Sequence, residues 1–266
     1  MLQIVVPTDF SNNSYNAFFY AAHLFKGREC TFHLVNLCED QGDSKIESAQ
    51  GLDAICHRLV RDVGNNKKHK LKKITLCPNV IESVSDYVTG HKADLMVIGN
   101  KAKEEMKHIL LGTNAMQLVR EVTVCPILIV PLEIDFKKVE KMAFISNYAN
   151  AISEENVKTL QFFRDLTHSV MVPMGIDDGK GDKMILEHKN EFLKAFSLKS
   201  FNAVELPVFG DKIKTILEFV DLWGIDMLCM VYYPHHFFLE FIGKGIIKEL
   251  NTKLAIPFLI LPHRAN

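Results

Sequence analysis

Residues 94–131, DLMVIGNKAKEEMKHILLGTNAMQLVREVTVCPILIVP, hold the pattern that decides the fold. An Asp leads into an apolar strand, a variable loop follows, a Gly-led helix comes next, and a short apolar strand closes on Pro. The same order recurs at 226–262, DMLCMVYYPHHFFLEFIGKGIIKELNTKLAIPFLILP. A pattern repeated at about half the chain length predicts two homologous domains rather than one large fold. Gly99 in the first copy is replaced by Val231 in the second. Glycine lets a backbone come close to a phosphate, so the first copy reads as a binding domain and the second as a degenerate partner.

Working outward, apolar runs alternate with helical patterns in both halves. Strands are expected at 2–8, 30–38, 71–77, 94–99 and 126–130, and helices at 12–26, 43–63, 79–91 and 113–123. The second half predicts strands at 141–146, 169–174, 200–206, 226–232 and 257–261, and helices at 153–167, 182–197, 212–223 and 244–253. This alternation calls for parallel sheets covered on both faces, with right-handed crossovers. The domains are expected at 1–133 and 140–266, joined by a short polar link. The stretch 175–182, GIDDGKGD, reads as a solvated turn and lacks the ligand spacing of a calcium loop.

Composition narrows the function classes. The formal net charge of -1 gives no global pull toward nucleic acid or an anionic membrane. The basic run Lys67-Lys68-His69-Lys70-Leu71-Lys72-Lys73 reads as a solvated edge. No signal-peptide pattern opens the sequence, and no apolar stretch is long enough to span a bilayer. The six cysteines show no CxxC pair or metal-like spacing, which predicts reduced, buried thiols in a cytoplasmic protein.

In a doubly wound sheet, ligands sit beyond the carboxyl ends of the strands where the winding reverses. The first strand ends in Pro7-Thr8-Asp9, and the fourth in Gly99-Asn100-Lys101. If those strands are neighbours, Asp9 and Gly99 share one crevice. The chain then returns at Gly112-Thr113-Asn114, where a helix begins. The unpaired N–H groups and positive end of a helix suit phosphate. A helix cap by Thr113 or its neighbour is the plainer alternative.

These residues resemble the universal stress protein family. The family pattern is a Gly, two residues, a Gly, nine residues, then Gly-Ser or Gly-Thr. Here it reads Gly99, Asn100-Lys101, Ala102, nine residues, then Gly112-Thr113, with Ala102 in place of the second Gly. The opening IVVPTDFSNNSYNAFFYAA and the closing Cys125-Pro126-Ile127-Leu128-Ile129-Val130 strand are similar to the family as well. The resemblance implies two tandem doubly wound five-stranded parallel sheets of strand order 3-2-1-4-5, the adenine nucleotide alpha hydrolase-like α/β fold. It implies ATP or AMP binding, with Mg2+ carried by the nucleotide. Asp9 would lie by the nucleoside and the backbone of Val35 by the adenine. Gly99, Gly112, Thr113 and Asn114 would hold ribose and phosphates.

The second copy has Asn147 where the first strand of copy one has Asp9, and Lys244 where Ser or Thr would follow the glycine. Its aromatic run at 232–238, Tyr-Tyr-Pro-His-His-Phe-Phe, is expected to meet a protein partner rather than a metal. No GxSxG elbow, HExxH or Walker loop is present, so a non-catalytic binding protein is expected over an enzyme. Slow nucleotide hydrolysis using Asp9 and Lys101, and a nucleotide-free scaffold, are the other readings. A homodimer is compatible with the sequence. Nucleic acid and membrane are not expected as partners.

Overall fold

A computed structural model describes residues 1–38, 43–76, 80–99, 113–131, 135–177, 183–199, 203–207, 212–233 and 256–263. The chain divides into two units, Met1–Phe136 and Lys137–Asn266.

The first unit runs β1 (Leu2–Thr8), α1 (Asn12–Leu24), β2 (Cys30–Leu37), α2 (Asp43–Val63), β3 (His69–Leu76), α3 (Val80–Gly90), β4 (Leu95–Gly99), α4 (Thr113–Glu121) and β5 (Ile127–Val130). Its sheet has the order β3-β2-β1-β4-β5, which is the expected 3-2-1-4-5. All the pairings are parallel, with Ile4 opposite Leu95 and Val5 opposite Met96 at the β1–β4 seam. Ile4, Val5 and Val6 on β1 and Met96 and Val97 on β4 are wholly buried. Such near-continuous apolar strands are the mark of a sheet covered on both faces.

The second unit runs β6 (Lys141–Ser146), α5 (Glu154–Thr167), β7 (Val170–Asp177), α6 (Lys183–Ala195), β8 (Val204–Pro207), α7 (Lys212–Trp223), β9 (Met227–Tyr232) and β10 (Phe258–Pro262). Its strand order, β8-β7-β6-β9-β10, repeats that of the first unit. The helix expected at 244–253 lies outside the described residues. Strand β7 extends through Asp177, so the start of the expected 175–182 turn belongs to a strand. Gly175 matters there because the Glu205 carboxylate occupies the space a Cβ would need.

Each unit fastens its strands in the same way. The Asp that opens each repeat accepts hydrogen bonds from the start of the first strand. Asp94 takes the Gln3 N–H at 2.7 Å, and Asp226 takes those of Glu140 and Lys141 at 2.9 and 3.0 Å. The Pro that closes each repeat offers its carbonyl to an Asn of the first helix. Asn16 donates to Pro131 at 3.0 Å, and Asn156 to Pro262 at 2.8 Å. The most visible letters of the repeat therefore have structural jobs. Backbone groups that would otherwise lack partners are satisfied at both ends of the sheet.

The basic run lies mostly in β3, an edge strand of its unit, where Lys70, Lys72 and Lys73 keep the edge charged. Lys73 pairs with Asp53 of α2. Cys30, Cys125 and Cys229 are free and buried, and Cys56 is free and half-buried. Burial pushes the Cys30 thiol up to about 11. Cys38 corrects the expectation of uniformly reduced thiols, because it is disulfide-bonded. It follows directly on Leu37, which is in register with Leu76 of β3. Cys77 lies outside the described residues. No described helix is long and apolar enough to cross a membrane.

His33 on β2 is 1% exposed and bonds to the Tyr87 hydroxyl at 2.7 Å and the Gln3 Oε1 at 2.9 Å. Burial, followed by the charges of Lys72 and His91, lowers its pKa to about 4. The native imidazole stays neutral while the unfolded one protonates near 6.5. The unfolded chain thus binds more protons between those values, and stability falls as pH drops through that window. The slope from this residue is at most about 1.4 kcal/mol per pH unit. Urea unfolding from pH 7 to 4 should show this loss, and His33→Gln should flatten it. An unchanged slope in the variant would rule out His33 as its source.

Candidate functional site

Because β1 and β4 are neighbours, their carboxyl ends meet at the point where the winding reverses. Pro7 and Thr8 end β1, Asp9 follows directly on it, and Gly99 ends β4. The other elements expected at the site are only partly described. Thr113 is the first residue of α4 and Asn114 the second, so a helix does begin where the phosphate reading needs one. Asn100, Lys101, Ala102 and Gly112 lie outside the described residues. Val35 is wholly buried and stands in register between Pro7 and Ile74. Pro7 contributes no N–H to that seam.

The β1–α1 connection is built by side-chain turns. The Phe10 N–H donates to Thr8 Oγ1 at 3.1 Å, and the Ser11 N–H donates to Asp9 Oδ1 at 3.2 Å. The Ser11 hydroxyl also donates to Asp9 Oδ1 at 2.5 Å. Ser11 then caps α1 by accepting from the Ser14 N–H. Such Asx and Ser/Thr turns stand in for backbone turns. Phe10 adopts φ 63°, a left-handed conformation that is rare for a bulky residue. Its ring lies where a Cβ on Gly51 of α2 would be, so a glycine inside a helix makes room for it.

The second unit repeats this turn with different side chains. The Tyr148 N–H donates to Ser146 Oγ at 2.9 Å, the Ala149 N–H donates to Asn147 Oδ1 at 3.1 Å, and Tyr148 has φ 53°. Sequence reading noticed that Asn147 takes the place of Asp9. It missed that Thr8-Asp9-Phe10 and Ser146-Asn147-Tyr148 form one repeated motif: hydroxyl, side-chain acceptor, left-handed aromatic. The signal was present in the two tripeptides. Asn147 shows that the turn needs the acceptor and not the charge.

Gly99 has a structural reason to be glycine. A Cβ there would stand 2.5 Å from the backbone carbonyl oxygen of Asn13 and 2.8 Å from its side-chain amide. Helix α1 presses against the end of β4 through this missing side chain. The second unit carries Val231 at the corresponding place, and it reaches α5 through residues 147–153 rather than the shorter 9–11 of the first unit. Val231 and Tyr232 are 5% exposed at the end of β9. Tyr232, expected within a partner-facing run, is therefore a core residue. Tyr233 meets His263 in a tilted ring contact with centres 4.9 Å apart, and burial pushes its phenol up to about 12. Residues 234–238 lie outside the described residues. No group of three or more His, Cys, Asp or Glu is placed to hold a metal among the described residues.

The first unit is thus a doubly wound α/β domain of the adenine nucleotide alpha hydrolase-like class. A model of the universal stress protein family matches residues 1–131. Universal stress protein MJ0531 of Methanocaldococcus jannaschii is 25% identical over 139 residues, covering 48% of this chain and 81% of that protein. A universal stress protein structure from Archaeoglobus fulgidus superposes over 98% of this chain and 96% of that one, with TM-score 0.70 and 15% identity. The functionally unknown protein PA1789 from Pseudomonas aeruginosa covers 97% and 92%, with TM-score 0.62 and 10% identity. At such identities these two likenesses bear on the fold. Residues 1–131 belong to the universal stress protein family, and the chain's length and paired units fit its tandem form.

The Gly99 contact gives a direct test. Gly99→Ala must move α1 or distort β4 and should cost about 1–3 kcal/mol in urea unfolding. Gly27→Ala is the control, because nothing lies within 4 Å of its added Cβ. Equal stability of the two variants would show that α1 and β4 are not packed this closely.

Proposed function

We propose that the protein is a stress-response regulator that binds ATP or AMP in its first unit and works by binding rather than by catalysis. The observation that supports this reading is the β1–β4 adjacency, which sets the ends of the two strands side by side, with α4 described from Thr113 onward in sequence. The amino end of α4 would take the phosphates. The Asp9 carboxylate, whose charge the turn does not require, would face the nucleoside or a nucleotide-borne Mg2+. Membership of the universal stress protein family supports this reading. A cytoplasmic location belongs to the same proposal.

The second unit would serve as a packing and partner-presenting domain. Two features support a purely scaffolding alternative for the whole chain: α1 packing accounts for Gly99 without a ligand, and Ala102 adds a methyl group within the glycine motif. Calorimetry with ATP and AMP separates the two. Saturable binding of no more than one nucleotide per chain is expected. Asp9→Asn, which keeps the turn, should weaken it roughly tenfold through loss of a charge-assisted contact. Thr113→Glu should abolish it by placing a like charge at the helix start. No binding to the unaltered chain, or equal binding by all three proteins, would favour the scaffold. Steady ATP turnover by the purified protein would overturn the non-catalytic part alone.

A further inference from the structure

The first turn of α1 carries three polar side chains, Asn12, Asn13 and Ser14. Two are engaged. Asn12 Oδ1 accepts from Arg58 at 2.9 Å, and Ser14 Oγ lies 3.0 Å from Thr8 Oγ1. Asn13 is 7% exposed, yet its Oδ1 has no hydrogen-bond partner among the described residues. Its side-chain amide lies against Gly99, the last residue of β4, with Cγ and Nδ2 nearest, so the orphan acceptor is carried on an amide at the end of β4 and not in a remote part of the core.

A buried acceptor without a partner costs about 1–3 kcal/mol, and folded proteins keep few of them. Resting on the nucleotide reading above, we infer that Asn13 Oδ1 accepts a hydrogen bond from a sugar hydroxyl of the nucleotide, making Asn13 a specificity residue for ribonucleotides. The chemistry selects the donor. Ionised phosphate oxygens only accept, so a carbonyl oxygen is a poor neighbour for them. The amino end of α4 suits them instead. The sugar joins phosphate to base, and its hydroxyls both donate and accept. Asn13 sits at the end of β4, from which the chain leaves toward α4, and this is where the part of the ligand next to the phosphates would lie.

Binding of ATP, 2′-deoxy-ATP and 3′-deoxy-ATP to the full chain tests this, with Asn13→Leu and Asn13→Asp as variants. Leu keeps the approximate shape without the acceptor. Asp keeps the acceptor, and its charge is favourable near a helix start. The unaltered protein should bind one of the deoxy analogues about 5- to 10-fold more weakly than ATP. Asn13→Leu should lose that discrimination while its circular dichroism spectrum stays native, and Asn13→Asp should retain it. Equal affinity of the unaltered protein for all three nucleotides overturns the inference about Asn13 and leaves nucleotide binding standing. So does discrimination that survives in Asn13→Leu. Absence of ATP binding overturns both.

Discussion

Strand β1 lies between β2 and β4, and this placement reverses the winding of the chain at a single point in the sheet. Asp94 ties the beginning of β4 to Gln3 at the beginning of β1. At the other end, the absent side chain of Gly99 lets α1 settle against β4. Both ends of the seam are thus secured, and beside its carboxyl end stand a turn held by Asp9 and a helix start whose buried Asn13 Oδ1 has no partner among the described residues.

The second unit shows what happens when the same frame is kept and the site is not. Its opening Asp, its closing Pro and its aromatic turn all persist. What differs is local to the crevice: Asn147 removes the charge, a longer connection precedes α5, and Val231 fills the position of Gly99. The frame therefore stays constant in this fold while the residues at the strand ends vary.

The frame was largely legible in the sequence. Strands β1 and β6 have the bounds that their alternation of apolar runs and turn residues predicts, and α7 has those its apolar periodicity predicts. Ends were less legible. The sequence shows where β7 could stop, but Asp177 stays in the sheet because β8 pairs with it through Pro207. The site was legible as a set of residue types and not as contacts. Asp9 was recognisable as an acid at a strand end, while its bond to Ser11 depends on turn geometry. Gly99 was read as a phosphate residue, and its contact with Asn13 is a long-range fact that no local pattern encodes.

The central claim is that one unit of the pair holds a nucleotide at its β1–β4 switch point. Amide hydrogen exchange with and without saturating ATP tests it most directly. Slowed exchange at residues 9–14 and at the start of α4, with residues 147–156 unchanged, is the predicted result. Protection confined to 147–156, or unaltered exchange across both segments under saturating nucleotide, would contradict it.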